Sequence, residues 1–376
     1  MGPLKGIRVI ELAGIGPGPF CGMMLADMGA EVIRVDRPGA SGRGQDVLTR
    51  GRKSIAVDLK SEAGRETVLK LCESADALFE GFRPGVTERL GLGPEDCAAR
   101  NKKLVYGRMT GWGQEGPMAQ AAGHDINYIS LVGALHAIGE AGGKPVPPLN
   151  LVGDFGGGGM LLAFGLVCGI LEARTSGEGQ VVDAAMVDGA AALMGMFFTM
   201  HGAGAFKTER GTNLLDGGAH FYGTYETKDG KYISLGSIEP QFYALLLEKA
   251  GLDTEHFSAQ MDQSRWNEYK ADLTEVFKTK TRDEWRELME GTDVCFAPIL
   301  SLDEVADHPH NKARNAFVEQ GGLIQPAPAP RFSRSSPELT GGSRKAGEDT
   351  VDVLSTAGFS ESEIQALLDS GAVSAA

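Results

Sequence analysis

Cysteine is scarce in this chain of 376 residues. Its five copies, Cys21, Cys72, Cys97, Cys168 and Cys295, lie far apart and form no C-x-x-C pair. An odd count at such spacing supports neither a disulfide framework nor a structural zinc site, and fits reduced thiols in a cytoplasmic protein. Positive charge is in deficit, with 36 Lys and Arg against 50 Asp and Glu and a net charge of -14. The overall field therefore repels nucleic acid and anionic membrane surfaces, and an anionic small ligand needs a local basic pocket. The chain has no P-loop, serine elbow, HExxH pair or His/Cys metal cluster. The opening MGPLKGIRVIEL lacks the features of a signal peptide or basic presequence, and the closing VSAA is not a peroxisomal address. Also missing is an uninterrupted apolar run of the roughly 20 residues a bilayer requires. Residues 155–171 carry no charge but open on four glycines, and residues 184–206 are broken by Asp188 and His201. Both are expected to be buried core helices.

Glycine, by contrast, is abundant. Its 53 copies are roughly twice ordinary usage and follow no collagen period, so tight turns and close backbone approaches are expected. The run IRVIEL (7–12) reads as a buried strand, AGIGPGP (13–19) as a glycine loop, CGMMLADMG as a helix and EVIRVD (31–36) as a second strand. Asp36 follows the glycines at about the distance where a dinucleotide fold holds a ribose hydroxyl. Pro17 and Pro19 remove amides where a pyrophosphate would need them, which weakens a nicotinamide-cofactor reading. Arg34, Arg37, Arg43, Arg50, Arg52 and Lys53 face only Asp36 and Asp46 in the same stretch. This local basic excess reads either as a solvated loop or as a site for a phosphate-rich ligand, with Arg37 beside Asp36. Further strand and helix alternation, through SIAVDL, ALFEGF and KLVYGRMT, implies an α/β fold with a Rossmann-like parallel sheet covered on both faces. That large domain is expected over 1–190. Near 215 the pattern changes to FYGTYETKDGKYISLGS, a hairpin signal followed by amphipathic helices, so 215–320 reads as a smaller α+β domain. The proline-rich 321–339 reads as a linker and 360–370 as a last helix.

Four polar positions stand out. His124 lies in a turn, AAGHDINY, before an apolar segment. Asp154 interrupts LVGDFGGGGM, either as a helix cap or as an acid where a ligand can approach closely. Glu239 precedes Pro240 and is either a helix cap or a site residue. Arg89, in RPGVTERLG, is either a surface residue or a ligand contact. Taken singly, none decides a function. Met186, Met194, Met196, Met200, Phe197 and Phe198 could line an acyl surface, although such residues at helical spacing are usually plain core.

Taken together, AGIGPGP, EGFRPGVTERLGLGPEDC, RMTGWGQEGP, AGHDINY, LVGDFGGGGM, GQVVDAAMVDG and LDGGAHFYGTYETKDGKYISLGSIEPQFY resemble the racemase branch of the class III CoA-transferase family. The resemblance runs from residue 4 to the closing helix. It implies a Rossmann-like large domain to which the terminal segment 325–376 returns, and an interlocked homodimer with the active site between subunits. It also implies a substrate that is a 2-methylacyl-CoA thioester carrying its own coenzyme A, with no further cofactor and no metal. By the same resemblance His124 and Asp154 are bases on opposite sides of the α-carbon, Glu239 is the acidic partner of His124, and Arg89 is the matching arginine. The chemistry fits, because a thioester acidifies its α-hydrogen and inversion needs one group to take a proton and another to return one. Aspartate is ordinarily too acidic for such a pair, so burial has to raise its pKa. The glycines after Asp154 or the amide of Asp125 are candidates for holding the thioester oxygen. Two other readings make different demands: a CoA-transferase would use Asp154 as nucleophile, and a non-catalytic acyl-CoA binder would need no base pair.

Overall fold

The structure is a computed structural model that describes residues 2–40 and 45–376. Arg43 lies outside the described residues. The chain divides into two compact units. The first comprises 1–132, 149–193 and 312–376, and the second 133–148 and 194–311.

The first unit is built on a seven-stranded sheet. Strands β1 (Arg8–Leu12), β2 (Glu31–Asp36), β3 (Lys53–Val57), β4 (Ala77–Glu80), β5 (Val105–Thr110) and β6 (Val181–Ala185) run parallel. The closing strand Val373–Ser374 pairs antiparallel with β3 at one edge. The order is closing strand, β3, β2, β1, β4, β5, β6. Successive strands thus lead away from β1 in one direction and from β4 in the other, which puts the topological switch point between β1 and β4.

Both faces of the sheet are covered, as its near-continuous apolar strands require. On one face Ile10, Leu12, Ile33, Val35 and Ile55 pack with Val68 and Leu71 of α2 (Glu62–Cys72) and with Val353, Leu354 and Ile364 of the closing segment. On the other face, Val9, Val32, Phe79 and Met109 pack with Cys21 and Leu25 of α1 (Pro17–Asp27). Leu162, Leu166 and Ile170, from a long helix described below, complete that layer. The alternation of Val9 and Ile10 between faces is the two-residue period of a strand. The segment read as a linker instead opens with a strand, Leu323–Pro326, which pairs in a hairpin with the preceding Phe317–Gln320.

Residues Leu151–Ser176 form one continuous helical stretch of 26 residues, apolar and long enough by composition to cross a membrane. It begins as a wide π-helical segment, Leu151–Met160, and continues as an ordinary α-helix, Leu161–Ser176. The expectation of a fully buried helix is met on one side only. Phe164 and Leu171 are 67% and 69% exposed. Residues 184–206 depart further from expectation, because they break into Met186–Leu193 in the first unit and Gly195–Gly202 in the second, and the latter has no buried residue.

The second unit holds the hairpin Tyr222–Glu226 with Tyr232–Gly236, extended by Phe296–Ile299 into a three-stranded antiparallel sheet. Its core centres on Phe221, Tyr269, Phe277 and Trp285. His220 is wholly buried there beside Tyr243 and Tyr269, and burial pushes its pKa down to about 4, so it stays neutral.

Candidate active site

A cavity of about 450 Å³ opens in the first unit at the carboxyl ends of the central strands. Leu12 of β1, Phe79 of β4 and Met109 of β5 line it, with the loops that follow each strand. This is the switch-point crevice where open α/β sheets bind ligands.

The glycine loop forms one wall. Gly16 has a φ of +65°, a conformation natural to glycine, and caps the start of α1. A Cβ at Gly16 would stand 3.1 Å from Asp154 Oδ2, so the loop and Asp154 are close. Pro17 opens α1, where its missing amide does no harm. Behind the loop, Arg52 pairs with Glu11 at 3.0 Å and donates to the Pro19 carbonyl, all out of solvent. Gly22 leaves room for this pair, since a Cβ there would lie 2.6 Å from each side chain.

His124 and Asp154 both line the cavity. His124 immediately precedes the helix Asp125–Leu131, and the Asn127 side chain accepts from its amide at 3.0 Å. The imidazole is exposed and has no hydrogen-bond partner among the described residues. Asp154 sits in the first turn of the π-helical segment rather than capping a helix, so the capping alternative does not hold. Its Oδ2 accepts from Asn150 at 3.1 Å. Half-burial raises its pKa above the ordinary aspartate value, and the charge of Asp125 adds to the rise. The Asn150 hydrogen bond and His124 pull the other way. This is the direction a two-base pair requires.

A single carboxylate fastens the two groups together. Asp125, 5% exposed, accepts from the amides of Gly153 and Asp154 at 2.6 and 2.7 Å. His124 is thus joined by a peptide bond to the residue that grips the Asp154 amide. The clasp needs a glycine at 153, because a Cβ there would lie 2.6 Å from the Asp125 oxygen. From the other side Tyr128 donates to the Gly123 carbonyl and packs edge-on to Trp112, with ring centroids 4.8 Å apart. The sequence reading assigned Asp125 only its backbone amide. That amide is the first of the helix Asp125–Leu131, where first-turn amides lack intrahelical partners, so it remains a candidate donor.

The glycines after Asp154 serve packing. Gly157 lies against Gly189 and Ala190 of Met186–Leu193, and Gly159 against Pro17 and Phe20 of α1. Phe155 stacks on Phe20 at 4.7 Å. Of the methionine-rich set, Met186 is buried and lines the cavity, whereas Met196 and Phe198 are 53% and 60% exposed in the second unit, contrary to a core role.

The basic stretch resolves into internal ion pairs. Arg34 bonds Asp36 at 2.8 Å, Arg50 bonds Asp27 and Gln325, Arg52 pairs with Glu11, and Lys53 meets Glu31 and Asp352. Asp36 Oδ2 also accepts from Ser54 at 2.6 Å, so this carboxylate is engaged within the fold, and Asp36 lies outside the cavity lining. Arg37 remains exposed just past the end of β2 and free of ion pairs among the described residues. Arg89 ends the short α3 (Val86–Arg89), exposed and not itself part of the cavity lining, while Arg83, unremarked in the sequence, lines the cavity. Glu239 belongs to the second unit, exposed before the helix Pro240–Ala250, and makes no side-chain capping bond.

Residues 4–350 match the CoA-transferase family III model. The chain is 48% identical to mouse (Mus musculus) alpha-methylacyl-CoA racemase, covering 96% of this chain and 95% of that protein. It is 44% identical to the human protein of the same name, covering 97% and 96%. Among solved structures, a CaiB/BaiF family protein from Brucella suis superimposes with a TM-score of 0.80 at 26% identity, covering 95% of this chain and 99% of that one.

Proposed function

The chain belongs to CoA-transferase family III, and on that premise we propose that it is an isomerase that interconverts the (R) and (S) epimers of 2-methylacyl-CoA thioesters. The observation that carries this reading is the pair of bases on one cavity, His124 and Asp154, fastened through the Asp125 carboxylate. The near-full-length similarity to two alpha-methylacyl-CoA racemases supports it.

In the proposed cycle neutral His124 takes the α-proton from one face while protonated Asp154 delivers its own to the other. The enolate between them is held by a nearby backbone amide, Asp125 being the candidate. The enzyme then carries an imidazolium and a carboxylate, the state that runs the reverse direction, so no proton is lost and no cofactor is consumed. The raised pKa of Asp154 is the direction in which a reversible exchange of the proton between two such groups is helped. Each separate epimer of a 2-methylacyl-CoA should relax to the same mixture of both. Persistence of the starting epimer would overturn the proposal.

Arg37 is the proposed contact for the phosphorylated adenosine end of CoA. Arg37→Ala should weaken CoA affinity roughly tenfold, as loss of a charge-assisted contact does, with a smaller effect on turnover. Unchanged affinity in a direct titration would remove Arg37 from the site. Arg89 is proposed as a second basic contact.

Glu239 is proposed to orient and charge-stabilise His124. Since the two residues belong to different units, the pairing calls for assembly of units or subunits, and an interlocked homodimer is part of the proposal. Met160, Phe164, Val167 and Leu171 recur at the spacing of one helix face and are exposed, which suits a face that a second copy covers. Glu239→Gln should lower kcat and shift the acidic limb of the pH profile, because a neutral amide no longer favours the imidazolium. Full activity with an unaltered profile would return Glu239 to a structural role.

A further inference from the structure

Glu80 is a buried carboxylate that the proton-transfer chemistry does not use. It ends β4, is 3% exposed, and accepts from the Phe82 amide at 2.6 Å. Residues 81–84 form a strap along the cavity: Gly81, Phe82, Arg83 and Pro84 all line it. The far end of the strap is tied by Gln120, which donates to the Pro84 carbonyl at 3.1 Å. Next comes α3, held through Glu88 to Arg108 of β5, and Arg108 also donates to Gln114 at 2.5 Å. Arg108 is the register neighbour of Glu80 across the sheet, yet its guanidinium is committed to Glu88 and Gln114 and makes no ion pair with Glu80.

The groups facing Glu80 are Arg108 and Tyr106 from β5, Glu88 from α3 and the Phe82 amide. Burial, followed by the charge of Glu80, keeps the Tyr106 phenol neutral well above its ordinary range. Burial pushes Glu80 itself up to about 7, with the Phe82 hydrogen bond and Arg108 opposing and Glu88 reinforcing the rise.

We propose that Glu80 is a positioning residue for acyl-CoA: its carboxylate, through the Phe82 amide, holds the Gly81–Pro84 strap in its cavity-lining shape. The physical basis is that an ionised acceptor binds an amide more strongly than a neutral one. A ligand that needs the strap in place therefore favours the ionised form, and by linkage binds more tightly above neutral pH than below it. This inference rests on reading the cavity as an acyl-CoA site.

The test is the dissociation constant of isobutyryl-CoA, whose α-carbon is not a stereocentre, between pH 6 and 8 for wild type and Glu80→Gln. Titration of the ligand phosphate is common to both proteins and cancels in the comparison. Wild type should weaken about fivefold more than the variant as pH falls, the difference between a charged and a neutral acceptor. Identical pH dependence would overturn this inference and leave the acyl-CoA reading intact. Absence of binding by wild type at any pH would overturn both. Should the variant not fold, carboxyl-labelled glutamate in the wild-type protein gives the same answer. One resonance should titrate near pH 7 and move to lower pH on adding isobutyryl-CoA, whereas no such resonance, or one that the ligand leaves in place, would refute the inference.

Discussion

His124→Ala and Asp154→Ala should each lose racemisation by at least about 100-fold, the ordinary worth of a general acid-base group, yet each should keep α-hydrogen exchange on one epimer. With His124 gone, Asp154 still faces one side of the α-carbon and can remove and return a proton there. With Asp154 gone, the remaining activity belongs to the opposite epimer. Both variants should keep the fold, because neither side chain is wholly buried and the Asp125 clasp reaches the backbone amide at 154, which alanine retains. Deuterium incorporation into each separate epimer of a 2-methylacyl-CoA measures this. A transferase predicts a different pattern, in which Asp154→Ala abolishes acyl transfer and His124→Ala matters little. Racemisation by His124→Ala at the wild-type rate would refute the two-base assignment.

The second large effect is on stability. Gly189→Ala should unfold the protein well below the wild-type temperature, because the added Cβ would lie 1.8 Å from the Gly157 carbonyl oxygen and 2.6 Å from its carbon. Both atoms are backbone, so the π-helical segment that carries Asp154 has to move away from Met186–Leu193. Overpacking of this kind costs typically about 1–3 kcal/mol and more where rigid backbone must yield, so a loss of about 3 kcal/mol is expected. Turnover should fall in the folded fraction as well, since the displaced segment positions Asp154. Gly195→Ala is the control: nothing lies within 4 Å of a Cβ at that helical position, and its Tm should not fall. Equal melting of wild type and Gly189→Ala would show that the two segments are not in the contact described.

The features legible in the sequence were those written in local pattern. The strand, glycine loop, helix and strand of residues 7–36 declared themselves by β-branched runs and glycines, and the 222–236 hairpin by two alternating segments around Lys228-Asp229-Gly230. His124 and Asp154 emerged from motif resemblance, and both line one cavity. What stayed hidden depends on partners far apart in the chain. The Asp125 carboxylate grips amides 28 and 29 residues away, and no side-chain pattern encodes a backbone acceptor. Arginines 34, 50 and 52 read as a ligand site because a sequence does not distinguish an arginine aimed at a phosphate from one aimed at a buried carboxylate. Glycines 157–159 suggested offered amides, whereas their lack of side chains is what lets α1 and Met186–Leu193 approach. Hydrophobicity at Met196 and Phe198 suggested burial. It shows that a side chain favours cover, without showing that the fold supplies it.

In the two-base cycle the wild-type enzyme moves the α-proton of a 2-methylacyl-CoA through an enolate without breaking the thioester. The decisive measurement is made in deuterated water, starting from one pure epimer and reading α-deuterium and configuration together by mass spectrometry and chiral separation. Inverted product should carry one solvent deuterium at the α-carbon, and the acyl group should stay on its original CoA. Inversion without deuterium, or acyl transfer to an added acceptor with the α-hydrogen and configuration retained, would contradict the cycle.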